Sequence, residues 1–476
     1  MIFNSLQFIF IFLPLVLLVF SVLEKKHRPL AIGAVTFASF IFYAVDSIKA
    51  AMLLGITIAS NYVIALGIRK VPREKARFFL TLGIVGNILF LSYYKYTNFL
   101  FETFRELSWP VHPIDIQLPP GLSFYIFVQI GFLVDVYRRV ATTQGSLLNF
   151  SFFVSFFPHL IAGPIIHLAD MMPQLTNTPP SLSLYRRLAV GLSVFTFGLT
   201  KKVMLADPLS QTVNAAYSLI GGGASINSST AWVATICYTL QIYFDFSGYS
   251  DMAIGLAFLF GIHFPTNFNS PYCSSSIVDF WRRWHITLSS FLRDYIYIPL
   301  GGNRNGKLRR LLNIFITMFV AGIWHGAGWT FILWGIVHGI ALVIAHYCKL
   351  LRSERPLPIS WFWPPITFIF VHLAWVLFRS NTLTDAFKMY NAMFNWTGSA
   401  SLPDIPREMW IGLLIVWFAP NVHQIMGSYA PHIEGPCLST SWTWQPSIFS
   451  SVIIGILFTI CIFSLQFPTD FIYFRF

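Results

Sequence analysis

The sequence predicts an all-α polytopic integral membrane protein, and three observations carry that prediction. Of 476 residues, 55% are hydrophobic and only 11% charged, less than half of the roughly 25% charged residues that a water-facing surface needs. Apolar runs recur along the whole chain. Basic residues fall in short clusters between those runs: Lys25, Lys26 and Arg28, then Arg69 to Arg77, Arg138 and Arg139, Lys201 and Lys202, and Arg304 to Arg310. That spacing follows the positive-inside pattern of cytoplasmic loops, so the net charge of +12 points to membrane orientation and not to nucleic acid. Disorder, a secreted disulfide scaffold and an ordinary cytosolic enzyme are excluded. The five cysteines are far apart and form no C-x-x-C pair, so they signal neither a thiolate metal site nor a redox pair.

A helix needs about 20 apolar residues to span a hydrocarbon core of roughly 30 Å. Ile2 to Leu23 has no charged region before it and no cleavage site after it, which makes it an anchor and not a signal peptide. Its flanking charges follow it, at Glu24 to Arg28, placing the amino terminus outside the cytoplasm. Further runs include Leu30–Val45, Ala50–Ile68, Phe78–Tyr94, Leu122–Val136, Leu188–Leu205, Trp232–Phe246, Leu311–Phe319, Phe331–Ala345, Trp361–Phe378, Trp410–Ala419 and Ile448–Leu465. Counting broken and re-entrant pieces, roughly eleven to thirteen membrane segments are expected. The reading is a single membrane domain over 1–476: amino-terminal hairpins over 1–146, a catalytic core over 147–350, and carboxyl-terminal helices with an aromatic tail over 351–476.

The core is placed there because Pro, Gly, His and Arg interrupt apolar sequence between about Phe150 and Ile340. Irregular backbone survives at membrane depth only inside protein or beside a watery cavity. Phe157 to Ile165, F-P-H-L-I-A-G-P-I, reads as a re-entrant piece or pore wall, with His159 as structural as it is functional. Asp279 to Tyr295, drawn on a helix, gathers Trp281, Trp284, Leu288, Phe291, Leu292 and Tyr295 on one face. Arg282, Arg283, Thr287, Ser290, Arg293 and Asp294 take the other face. Such a helix lies in the headgroup plane with its aromatic side down, and His285 falls at the edge of the apolar face.

In Phe319 to Gly339, His325 stands between glycines with no carboxylate within ten residues. An ionisable residue within a membrane segment is a functional hypothesis by default, and a neutral imidazole is a base able to take a hydroxyl proton. Gly322/Gly326 and Gly335/Gly339 also fit plain helix packing. On one unbroken helix His338 would stand ~220° round from His325, so both face one cavity only if the glycines break the helix. No hydrolase triad, P-loop or dinucleotide fingerprint is present, and Gly301 to Gly306, G-G-N-R-N-G, is a basic turn and not a phosphate cradle.

W-R-R-W-H-I-T-L-S-S-F-L-R-D-Y-I-Y-I-P-L-G-G-N-R and A-G-I-W-H-G-A-G-W-T-F-I-L-W-G-I-V-H-G closely resemble the membrane-bound O-acyltransferase (MBOAT) family. The bacterial cell-envelope branch fits best: alginate, peptidoglycan and cellulose O-acetylation proteins and, more distantly, teichoic acid D-alanyl transfer. The likeness extends to F-P-H-L-I-A-G-P-I, to Gln241–Gly255 and to Phe264–Tyr272. The resemblance implies a ring of tilted transmembrane helices, with re-entrant and interfacial helices, around a central tunnel. It implies catalytic roles for His325 and His285, with Trp324, Asp279, Arg282, His159 and His338 as cavity or supporting residues and no metal. Where related sequences often carry Arg after A-G-P-I, this chain holds His167. The aromatic ending F-I-Y-F-R-F makes Tyr473 an acyl-relay candidate, since a phenol activated by a base accepts an acyl group.

The activity so implied is O-acetylation of an envelope polysaccharide, most of all an alginate-type exopolysaccharide, with peptidoglycan or cellulose as alternatives. Acetyl-CoA would be the cytoplasmic donor, the bacterial inner membrane the location, and a periplasmic esterase-like protein the partner. A transporter or flippase without acyl chemistry is the alternative of a different class, because buried His and Arg serve that too.

Overall fold

The computed structural model describes residues 1–112, 114, 116–139, 146–176, 182–351, 362–395, 404–429, 432–433, 443–465 and 471–472. The amino-terminal part is a set of helical hairpins. A π-helical turn, Phe8–Phe12, leads into α1 (Leu13–Glu24), followed by α2 (Arg28–Ala44), α3 (Ile48–Lys70) and α4 (Arg73–Glu106). Local chemistry sets the starts: the His27 ring accepts the Leu30 N–H ahead of α2, and the Ser47 hydroxyl accepts the Ala50 N–H ahead of α3. α5 (Leu122–Arg138) packs against α3 and α4 through buried amides. Asn61 donates to Gln129 at 2.6 Å and accepts from Asn87 at 2.7 Å, the kind of interhelical bond that associates helices in lipid.

The stretch expected to be irregular is so. It contains α6 (Leu147–Ser155), α7 (Phe157–Leu160) and α8 (Leu168–Thr176), and every residue from Phe156 to Ile166 is buried. Next, α9 (Leu184–Thr200) runs through a π-helical turn, Lys201–Ala206, into α10 (Asp207–Gly221). Lys201 and Lys202 therefore do not lie in a loop, as their clustering implied. They are inside the protein, Lys201 paired with Asp251 at 2.6 Å and Lys202 with Asp245 at 2.7 Å and Asp207 at 2.8 Å.

Those aspartates, Asp245 and Asp251, belong to α11 (Ser228–Leu259), the central helix, buried on all sides over most of its length. Glycines at matching intervals allow α9 and α11 to touch. A Cβ on Gly198 would stand 2.5 Å from the Gly248 carbonyl oxygen, and one on Gly255 would stand 2.6 Å from that of Gly191. Beyond α11, Phe264–Pro265 pairs in parallel with His432–Ile433 as a two-residue ladder. There follow α12 (Ile277–Arg283), α13 (Ile286–Leu292), α14 (Lys307–His325), α15 (Trp329–Leu351), α16 (Trp363–Arg379), α17 (Leu383–Phe394), α18 (Arg407–Phe418), α19 (Val422–Ile425) and α20 (Ile448–Ser464).

Among the described residues, four helical stretches are long and apolar enough to cross a membrane: Ile48–Lys70, Arg73–Glu106, Leu184–Gly221 and Trp329–Cys348. Apolar helices of 10–17 residues accompany them at Phe8–Glu24, Arg28–Ala44, Trp363–Arg379 and Ile448–Ser464. Large apolar side chains such as Leu18 and Phe463 point outward from these helices, as helices surrounded by lipid do.

Candidate active site

His325 is the last residue of α14 and is buried. The helix stops there because the chain turns into extended backbone at Gly326, where a Cβ would meet the Phe331 ring at 2.2 Å. The Gly326–Gly328 break starts α15 anew at Trp329 and folds α15 back on α14. At their crossing a Cβ on Gly322 would stand 2.9 Å from the Gly335 Cα. The break also settles where His338 lies relative to His325. Trp334 bridges them, its ring 5.0 Å from that of His325 and 4.6 Å from that of His338. The indole N–H of Trp281 donates to His338 Nδ1 at 3.3 Å.

The segment drawn as one amphipathic helix is broken at His285. α12 ends at Arg283, and His285 has φ 42° and ψ 54°, the left-handed region that costs a side chain energy. Asn267 holds this turn: its backbone carbonyl accepts from Ile286 N–H at 3.0 Å, and its Oδ1 accepts from the Thr287 hydroxyl at 2.9 Å. The same oxygen lies 3.1 Å from His285 Nδ1. An acceptor at that distance puts the ring proton on Nδ1 and the lone pair on Nε2. The aromatic face of the segment is also buried in protein and not in headgroups, with Trp284 1% and Leu288 0% exposed. The helix-wheel reading missed the turn because the backbone bonds that hold it come from a different loop.

The two histidines share a buried aromatic cluster. Trp324 lies between them, its ring 5.0 Å from His325 and 6.4 Å from His285. Phe124 and Phe127 of α5 pack on Trp324 at 5.4 and 5.0 Å, Phe246 of α11 meets His285 at 4.7 Å, and Phe378 of α16 meets His325 at 5.2 Å. Rings from α5, α11, α15 and α16 thus pack around the two histidines and Trp324.

Other candidate residues lie elsewhere. Asp279 sits in the first turn of α12, paired with Arg283 at 3.0 Å, and Arg282 is exposed. His159 is buried beside Phe264, ring to ring at 5.6 Å. His167 Nδ1 lies 3.0 Å from the Tyr295 hydroxyl, which donates to Asp135 at 2.9 Å. Tyr473 lies outside the described residues. Among those described, no three His, Cys, Asp or Glu side chains group closely enough to hold a metal ion.

The model of the membrane-bound O-acyltransferase family matches residues 78–384. The chain belongs to that family. As an MBOAT protein it is an O-acyltransferase embedded in a membrane. It is 40% identical over 441 residues to a peptidoglycan O-acetyltransferase of Helicobacter pylori, covering 86% of this chain and 82% of that one. It is 39% identical over 423 residues to the "Probable alginate O-acetylase AlgI" of Pseudomonas aeruginosa, covering 87% and 79%. A teichoic acid D-alanyltransferase of Streptococcus thermophilus is 32% identical over 234 residues, covering 47% of this chain and 56% of that one. His285, His325 and Trp324 all lie within the MBOAT match.

Sequence reading missed two residues of this candidate site. Asn267 stood inside a quoted motif, yet nothing local marks it as the partner of a histidine eighteen positions on. Lys95, whose Nζ donates to the Trp324 carbonyl, was missed as well. Its signal was present: a lysine directly after the apolar run that ends at Tyr94.

Proposed function

We propose that this chain transfers acetyl groups from cytoplasmic acetyl-CoA across the bacterial inner membrane, for O-acetylation of an envelope polysaccharide of the alginate type. The observation that carries the reading is the shared cluster of His325 and His285 around Trp324, in a chain 39% identical to a protein named for alginate O-acetylation. His325 acts as the base: its imidazole takes the acceptor hydroxyl's proton as that oxygen attacks the acetyl carbonyl. Collapse of the adduct breaks the thioester bond, and the thiolate leaves with the proton. His285, oriented by Asn267, assists. A ring of tilted helices around a tunnel would let donor and acceptor meet there, and a periplasmic esterase-like partner would complete transfer to sugar. Peptidoglycan is the second reading, favoured by the 40% identity to the Helicobacter pylori protein.

The test is acetyl release from labelled acetyl-CoA by purified protein in a membrane mimetic, with His325→Ala compared at matched melting temperature. Loss of a general base lowers kcat by about 10²–10⁴-fold, and that is the expected result. Wild-type turnover in His325→Ala removes the assignment of the base. Acetyl analysis of alginate and of peptidoglycan from the same cells separates the two acceptors.

A further inference from the structure

Lys95 places its amine on α4, buried in the protein. Among the described residues no carboxylate pairs with it. Removing an ammonium from water costs several kcal/mol unless partners compensate, so what surrounds it identifies what it is for. Its Nζ donates to the Trp324 carbonyl, to the Ser123 hydroxyl at 3.1 Å and, at 3.4 Å, to the His325 carbonyl. The neighbouring Tyr96 hydroxyl donates to the Ile323 carbonyl at 2.8 Å. Together the two side chains take the last three carbonyls of α14, groups that have no partner within their own helix. A cation is also the charge that the negative end of a helix dipole favours. The same Nζ stands 5.8 Å from the centre of the Trp324 ring, within cation–π range.

We propose that Lys95 is a positioning residue for acyl transfer: its ammonium caps α14 and fixes the backbone that presents Trp324 and His325 to the acyl group. The proposal rests on the reading of His325 as the base. A hydroxyl alone would suffice as a cap, as Tyr96 shows one residue away. A lysine adds a charge that orders three acceptors from two helices at once, at the residue carrying the chemistry.

The test compares Lys95→Met, Lys95→Gln and Lys95→Arg in the full-length protein, by melting temperature, by acetyl release from labelled acetyl-CoA, and by the rate at which diethyl pyrocarbonate modifies His325. At matched melting temperature, Lys95→Met should lower kcat by about 10²-fold, the cost of a misplaced catalytic group, with KM for acetyl-CoA within about twofold of wild type. Lys95→Arg should restore most of it. His325→Ala with Lys95→Met should be no slower than His325→Ala alone, because a residue acting through another is not additive with it. Modification of His325 should be faster in Lys95→Met. Wild-type kcat and an unchanged modification rate in folded Lys95→Met overturn the proposal, as does a double variant whose losses multiply. Should Lys95→Met not fold, Lys95→Gln is read by the same criteria. If the wild type releases no acetyl from acetyl-CoA, the donor reading fails, and the modification rate still decides the role of Lys95. If His325→Ala is active, the base reading alone fails.

Discussion

Asn267 is the residue on which the geometry of His285 depends. It is fully buried, its Nδ2 donates to Ser250 at 3.1 Å, and its Oδ1 faces both Thr287 and His285 Nδ1. It therefore fixes the strained turn and the tautomer together. Asn267→Ala should lower kcat for acetyl release by about 10²-fold through misplacement of the ring, while Asn267→Asp, which keeps an acceptor for Nδ1–H, retains more activity. Equal activity of the alanine variant and the wild type would remove Asn267 from the site. At this scale the sequence was legible where a chemical group is costly to bury. His325 stood out among glycines and apolar residues. His285 stood out only through its motif, since its surroundings are assembled from α5, α11 and α14.

Between elements, α9 and α11 approach closely where glycines stand opposite glycines. Gly198→Ala should destabilise the protein by about 1–3 kcal/mol, the usual cost of forcing volume into a packed contact, seen as a lower melting temperature in detergent. Gly221→Ala is the control, because a Cβ there meets nothing within 4 Å. An unchanged melting temperature in Gly198→Ala would contradict the backbone contact. Some apolar runs read from the sequence match helices closely, as with Ile448–Leu465 against Ile448–Ser464, whereas Trp232–Phe246 and Phe78–Tyr94 lie inside much longer helices, Ser228–Leu259 and Arg73–Glu106, because polar residues continue a helix once protein surrounds it. Breaks were harder to read. Glycines announced the one after His325, but the break at His285 depends on bonds from Asn267, and the continuity of α9 with α10 on buried lysine–aspartate pairs. A basic pair looks the same in sequence whether it faces water or a carboxylate.

Across the whole molecule, α11 collects the distant parts of the chain. Near its middle, Asp245 accepts the Ile472 backbone N–H at 2.8 Å while pairing with Lys202. The Phe471 ring lies 4.6 Å from Tyr249 and 5.6 Å from Phe246, the residue that touches His285. The Phe471 ring is thus one aromatic residue away from His285, and Tyr473, the acyl-relay candidate named from the resemblance, lies outside the described residues. Tyr473→Phe should then leave the melting temperature unchanged and abolish acetylation of the exported polysaccharide; acetyl esters at wild-type levels would remove the relay. Near the other end of the chain, Arg187 and Glu24 form a buried two-point pair, with the shorter contact at 2.7 Å, that ties α9 to α1. The capped end of α14 has a consequence for biogenesis. Lys95 and the Trp324 carbonyl it binds are 229 residues apart, and a ribosome makes α4 long before α14. Until α14 arrives, α4 carries an ammonium without those acceptors, a state that a lone helix in lipid tolerates poorly. The order of synthesis therefore leaves α4 unfinished beside its neighbours until α14 arrives and supplies the acceptors.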